Sequence, residues 1–249
     1  MKINIDGRPC TCEKGEILLH IAKRNEITIP TLCHHEGLPG QGCCRVCIVE
    51  VETDGRRSIV TACIYPVERE CSVFTNNETV RRQRGMVLSL LHAMAPESED
   101  IKNLCDECGA PVYERFVKRT GEKCIVCGLC VKACESLGTG AISTVNRGID
   151  KIVTTPYDEP SIPCVCCASC AAVCPTGAIT VEENDTGRRI WNKTLHFKAC
   201  IACGAPIGTN FEIMRASKRV DADQPELCDA CRKKAIAKVM AATYGRMSD

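Results

Sequence analysis

Eight cysteines of this 249-residue chain fall into two runs of identical spacing: Cys124, Cys127, Cys130 and Cys134 recur forty residues later as Cys164, Cys167, Cys170 and Cys174. A Cys-x2-Cys-x2-Cys loop lets three thiolates wrap one [4Fe-4S] cube, and the fourth cysteine, four residues further on, serves the other cube. That crossed scheme assigns Cys124, Cys127, Cys130 and Cys174 to a first cluster, and Cys164, Cys167, Cys170 and Cys134 to a second. Zinc or disulfides are the plainer alternative, but zinc sites rarely interleave two runs of this kind. Cys166, inside the second loop, reads as a bystander.

Nearer the N-terminus, Cys33, Cys44, Cys47 and Cys63 follow the scheme of a [2Fe-2S] centre with a lengthened first loop: a close Cys-x2-Cys pair with outlying cysteines. Cys43 rivals Cys44, but it would spoil the two-residue spacing to Cys47. A Rieske centre needs two histidine ligands. His34 and His35 follow Cys33, yet none follows Cys44 or Cys47, so both histidines read as loop residues. Toward the C-terminus, Cys200, Cys203, Cys228 and Cys231 form two Cys-x2-Cys hooks, a recipe for a tetrahedral metal site. Zinc, a further [4Fe-4S] cluster and a mononuclear iron all remain open there. Cys105-Asp106-Glu107-Cys108-Gly109-Ala110-Pro111 echoes Cys200-Ile201-Ala202-Cys203-Gly204-Ala205-Pro206, so Cys105 and Cys108 are possible additional ligands or substitutes for one hook. Cys10, Cys12 and Cys71 have no ligand pattern and read as packing thiols.

The composition agrees with metal chemistry. The chain has 23 cysteines but only 4 Phe, 4 Tyr and 1 Trp, so its oil is scarce and ligand bonds must contribute to folding. A polar opening, Met1 to Glu16, argues against a secretory leader and for a reducing, cytoplasmic compartment in which thiols stay free. No apolar run reaches the roughly 18 residues of a membrane span. With 32 basic against 31 acidic side chains, a nucleic-acid surface is not indicated. No Gly-x-Gly-x-x-Gly opens a helix and no Gly-x-x-x-x-Gly-Lys loop occurs, so no nucleotide or flavin site is expected and no catalytic residue is assigned.

The elements that must hold these cysteines are legible in outline. Strands are expected at Lys2–Ile5 and Pro9–Cys12, and a helix over 16–25 buries Ile17, Leu18, Ile21 and Ala22. Alternation from Cys47 to Glu52, the Asp54-Gly55 turn and a strand over 58–63 predict a hairpin. A helix is predicted over 79–95. Each cubane loop should lead to a short strand, at 141–145 and 178–181, and Asp223-Pro225 should open a helix over 226–244.

Residues 121–183 resemble the two-cluster ferredoxin family, including the closing Cys174-Pro175-Thr176-Gly177; Cys134 departs in being followed by Glu135. Ile29 to Leu38, followed by Cys44-Arg45-Val46-Cys47, resemble the ferredoxin domain that opens the large iron–sulfur subunit of respiratory complex I. The same domain occurs in [FeFe]-hydrogenases and in the diaphorase small subunit of NAD-reducing hydrogenases. The resemblance implies an α+β chain: a β-grasp [2Fe-2S] domain over 1–76, a helical linker over 77–120, a 2[4Fe-4S] ferredoxin-like domain over 121–188, and a four-cysteine metal module with a helix over 189–249. Those families carry a His-x3-Cys-x2-Cys-x5-Cys segment in the linker. Here Ile101 and Glu114 stand at its first and last positions, so that cluster is expected to be missing, and His92 is wrongly spaced to replace the ligand.

The reading is an electron-transfer subunit in a cytoplasmic hetero-oligomer. It would relay single electrons between a flavin- and NAD(P)H-binding partner and another redox subunit or ferredoxin, in a complex that could be electron-bifurcating. A free-standing polyferredoxin is the alternative, and a redox-sensing regulator is a more remote one.

Overall fold

The computed structural model describes residues 1–221, 223 and 225–244. Its elements run β1 (Lys2–Ile5), β2 (Arg8–Thr11), β3 (Glu16–Ile17), α1 (Leu18–Arg24), β4 (Ile48–Thr53), β5 (Arg56–Thr61), β6 (Pro66–Val67), β7 (Ser72–Phe74), α2 (Glu78–Met94), α3 (Glu99–Glu107) and α4 (Leu129–Ser136). They continue with β8 (Ser143–Val145), β9 (Ile152–Thr154), α5 (Ser169–Ala172), β10 (Glu182–Asn184), β11 (Gly187–Ile190), β12 (Lys193–Ala199), β13 (Pro206–Thr209), α6 (Asn210–Val220) and α7 (Asp229–Tyr244). The chain divides into two compact units. The first holds residues 1–133, 144–153 and 173–178, and the second holds 134–143, 154–172 and the residues from 179 onward.

In the first unit a five-stranded sheet has the order β2-β1-β7-β4-β5, with β1 and β7 parallel and the other pairs antiparallel. Two of its hairpins turn on Asp6-Gly7 and Asp54-Gly55, where all four residues have positive φ, the twist a two-residue hairpin needs. Leu18, Ile21 and Ala22 of α1 are fully buried against Ile5, Val49, Val51 and Val73 of the sheet. The helix is shorter than the sequence suggests. Glu16 and Ile17 pair with Val67 and Pro66, so helical geometry starts only at Leu18, whose N–H donates to the Tyr65 carbonyl at 3.0 Å.

Helix α2 starts where Asn77 accepts a hydrogen bond from the Val80 N–H, and α3 where Ser98 accepts one from the Ile101 N–H, each satisfying an otherwise orphaned donor. Arg84, on α2, is only 5% exposed. Its guanidinium donates to the carbonyls of Val46 (3.0 Å), Ile48 (2.7 Å) and Thr75 (3.0 Å), clamping the helix to the start of β4. Burial holds its pKa below the ordinary guanidinium value.

The second unit contains a four-stranded antiparallel sheet, β10-β11-β12-β13, followed by α6, neither of which the sequence pattern foretold. A capping box starts α6: Thr209 accepts from the Glu212 N–H, and the Glu212 carboxylate accepts from the Thr209 N–H. The strand expected over 178–181 does not form. The Ala178 N–H is spent on the Cys174 sulfur at 3.3 Å, and strand pairing begins only at Glu182. The last helix begins at Asp229 rather than Glu226, because the Glu226 carbonyl is held by the Ile201 N–H at 3.0 Å. Among the described residues no helix is long and apolar enough to cross a membrane.

Candidate metal centres

Cys33 lies in the loop after α1, Cys44 and Cys47 in the loop entering β4, and Cys63 in the 3-10 turn following β5. All four are buried, with Cys33 and Cys47 at 1% exposure. Their sulfurs converge. The Cys44 N–H donates to the Cys33 sulfur at 3.4 Å, and side-chain hydrogen bonds from Cys43, Cys44 and Cys63 hold the Cys33 thiol far below its ordinary pKa. The Cys63 side chain brings Cys47 down to about 7, while Cys44 and Cys63 are pushed up mainly by sharing their protons with that set. Cys43 is exposed and directs its sulfur at the Cys127 carbonyl, 3.3 Å away. His35 is exposed and His34 half-buried in an edge-on contact with His20.

Cys124, Cys127, Cys130 and Cys174 belong to the same unit. The Cys124 sulfur accepts from the Val126 N–H at 3.3 Å. Burial pushes Cys127 up to about 11 and Cys130 up to about 12, and the charge of Cys174 bears on both. Cys33, Cys44, Cys105, Cys127, Leu88, Ile101 and Leu129 share one apolar cluster, so two of the cysteine sets lean on common packing. Gln41 lies against Gly128 in the loop between Cys127 and Cys130, and its Nε2 is buried with no protein partner. A sulfide-bearing group in that loop fits such an orphaned donor.

In the second unit Cys134, Cys164, Cys167 and Cys170 line one cavity, walled by Ala141, Ile142, Ile190 and Trp191. Cys134, on α4, accepts at its sulfur from the Ala141 N–H at 3.2 Å. The Trp191 indole N–H points at the Cys170 sulfur, 3.4 Å away. Trp191 and Asn192 join β11 to β12 with φ of 51° and 58°; the type I′ turn favours Asn or Gly, so a tryptophan there carries backbone strain. Lys193 donates to the carbonyls of Ser161, Ile162 and Cys164 at 2.7–2.9 Å, bracing the cysteine loop. Cys166 is 1% exposed on the same cavity, and its thiol draws Cys164 down to about 6.

Buried thiolates gathered this closely repel one another and lose hydration, so protein alone makes them costly. Iron cations carrying inorganic sulfide offset that cost, and the apolar walls and N–H donors around the sulfurs suit such groups.

Cys200, Cys203, Cys228 and Cys231 bring their sulfurs within 4.8 Å of one another. Cys200 follows β12, and Gly204, at φ 75°, turns the chain back so that its N–H donates to the Cys200 carbonyl. Cys228 precedes α7, and Cys231 lies in its first turn. N–H groups of Cys228, Ala202 and Cys203 hold the Cys200 thiol down to about 6. Cys105 and Cys108 do not join this group, so they replace neither hook. Cys105 donates to the Leu88 carbonyl at 3.7 Å and is pushed up by burial, while Ile101 is fully buried in the same core. Cys10 and Cys12 pack in the core beneath the five-stranded sheet, with Cys71 against it.

Sequence reasoning did not single out Arg84, Gln41, Trp191 or Lys193. Only Trp191 left a signal, as the single tryptophan ahead of Asn192 between two alternating runs.

Residues 1–78 match the model of the 2Fe-2S iron-sulfur cluster binding domain, and residues 123–178 that of the 4Fe-4S dicluster domain. The chain is 34% identical over 214 residues to an NADP-reducing hydrogenase subunit of Solidesulfovibrio fructosivorans, covering 74% of this chain and 36% of that protein. It is 31% identical over 245 residues to the alpha subunit of NADPH-Fe(3+) oxidoreductase of Geobacter sulfurreducens, covering 89% of this chain and 28% of that one. The chain therefore spans about a third of the length of these relatives. The crystal structure of an NAD+-reducing [NiFe]-hydrogenase in the H2-reduced state contains a similar fold, with TM-score 0.61 and 26% identity over 71% of this chain and 85% of that one. The chain is thus an iron–sulfur protein with a 2Fe-2S domain and a 4Fe-4S dicluster domain, homologous to subunits of NAD(P)-linked hydrogenases and oxidoreductases.

Proposed function

We propose that this chain is the electron-relaying subunit of a cytoplasmic, hetero-oligomeric NAD(P)H-linked oxidoreductase. In this reading residues 1–76 form a β-grasp domain holding a [2Fe-2S] cluster on Cys33, Cys44, Cys47 and Cys63. Residues 77–120 are a helical linker, 121–188 hold two [4Fe-4S] clusters on the crossed cysteine sets, and 189–249 form a separate metal module. The clusters would supply one-electron transfer. The protein's part is to exclude water with Leu88, Ile101 and Leu129, to donate hydrogen bonds to sulfur, and to keep neighbouring sites close.

The observation that carries the reading is the continuity between sites in the first unit. Cys33, Cys44 and Cys127 share one apolar cluster, and Cys43 bridges from its sulfur to the Cys127 carbonyl at 3.3 Å. That packing suits a relay, whereas a sensor would need an exposed, labile site. Membership of the proposed complex also follows the names of the relatives, each of which includes a nicotinamide nucleotide. The test is anaerobic native purification: a flavin-binding subunit should co-elute, and NADH or NADPH should reduce the clusters in the complex but not in the isolated chain. Direct reduction of the isolated chain, or a monomer with no co-eluting subunit, would count against it.

A further inference from the structure

We infer that Cys200, Cys203, Cys228 and Cys231 hold a single zinc ion whose role is structural, and that this site is no member of the redox series. A tetrahedral ion with metal–sulfur bonds of about 2.3 Å sets its sulfurs about 3.8 Å apart. Cys203 and Cys228 stand 3.7 Å apart, and all four sulfurs lie within 4.8 Å of one another. A cube needs more room, because each thiolate caps a different iron and the sulfurs stand a whole cluster apart. The molecule supplies its own control. Among the described residues this is the one group of three or more His, Cys, Asp or Glu side chains that closes so tightly, and neither cysteine set of the ferredoxin repeat does so.

The setting agrees with a structural ion. Cys203 is exposed, and Cys228 and Cys231 are half-exposed, which is poor insulation for a redox centre. Among residues 229–243 of α7, every one but Cys231 is exposed, so the helix has no packed face of its own. An isolated helix of 16 residues is marginal in water. The Ile201 N–H to Glu226 carbonyl bond and the four thiolates are what fasten its start to the turn between β12 and β13. Metal binding here therefore contributes to folding the start of α7 onto that turn.

The experiment uses the full chain, purified without air from cells grown without added zinc. Metal analysis should find about one zinc beside about ten cluster irons, and zinc X-ray absorption should show four sulfurs at about 2.3 Å. The double variant Cys203→Ser, Cys231→Ser should lose the zinc, retain the iron and every electron paramagnetic resonance signal of wild type, and be cut by trypsin at Arg232 to Lys234 at least tenfold faster. About fourteen irons with no zinc would overturn the inference, as would about eleven irons with no zinc, a chain with no metal at this site, or a variant that loses about four irons. None of these results depends on whether the chain relays electrons.

Discussion

At the scale of single residues the sulfurs are set apart by the hydrogen bonds they receive, and Trp191 is the clearest case. Its indole N–H reaches the Cys170 sulfur at 3.4 Å from a backbone position, φ 51°, that tryptophan seldom adopts. A donor to a ligating sulfur favours the more negative, reduced cluster. Trp191→Phe should thus lower the midpoint potential of the cluster on Cys170 by roughly 40 mV, the one-electron equivalent of about 1 kcal/mol, with iron content unchanged in a spectroscopic redox titration. An unshifted potential would show that the indole only packs. Cys134→Ser tests the crossed ligand sets. Cys134 lines the cavity of Cys164, Cys167 and Cys170, so the serine variant should lose the second cubane's resonance signal and keep the first's. Loss of the first alone would reverse the assignment.

At the scale of elements, α2 and the β11–β12 hairpin do most of the positioning. Arg84 satisfies three buried carbonyls, of Val46, Ile48 and Thr75, across the entry to β4. Arg84→Met fills the space but leaves those acceptors unpaired, costing about 3 kcal/mol. The expected result is a lower melting temperature together with early loss of the [2Fe-2S] absorption, since Cys44 and Cys47 flank Val46. Gly187, on β11, faces the Leu195 carbonyl, and a Cβ built there would stand 2.5 Å from that oxygen. Gly187→Ala must push β11 and β12 apart, at about 1–3 kcal/mol, and so displace Trp191 from Cys170. Its signature should be a Trp191→Phe-like shift in potential combined with lower thermal stability, whereas a wild-type melting curve would refute the steric argument.

For the molecule as a whole, the apolar cluster joining the N-terminal cysteines to the loop of Cys124, Cys127 and Cys130 makes residues 1–133 one packed body rather than beads on a string. A fragment ending at residue 77 would strip Leu88, Ile101 and Leu129 from Leu32, Cys33, Cys44 and Val46. It should lose its visible [2Fe-2S] absorption in air much faster than the full chain; equal persistence would mean that the N-terminal domain is autonomous.

Much of this is legible in the sequence. Ligand spacing is a local property: a Cys-x2-Cys turn brings two sulfurs together whatever surrounds it. Hairpins such as Asp54-Gly55 are likewise fixed by residues that tolerate positive φ. Less legible were elements whose geometry answers to distant partners: α1 yields its first turn to pairing with β6, the strand at 178–181 yields its N–H to Cys174, and α7 starts late because Glu226 is held by Ile201. The sheet β10 to β13 was not read although Leu195, Phe197 and Ala199 alternate with polar residues along β12, because its neighbours β10 and β11 are short and charged. The amino-acid order alone therefore determined which cysteines group with which loop, since that needs only neighbours along the chain. Only tertiary structure decided that Cys228 and Cys231, rather than Cys105 and Cys108, close on Cys200 and Cys203, and how tightly, because the distance between remote hooks depends on every element folded between them.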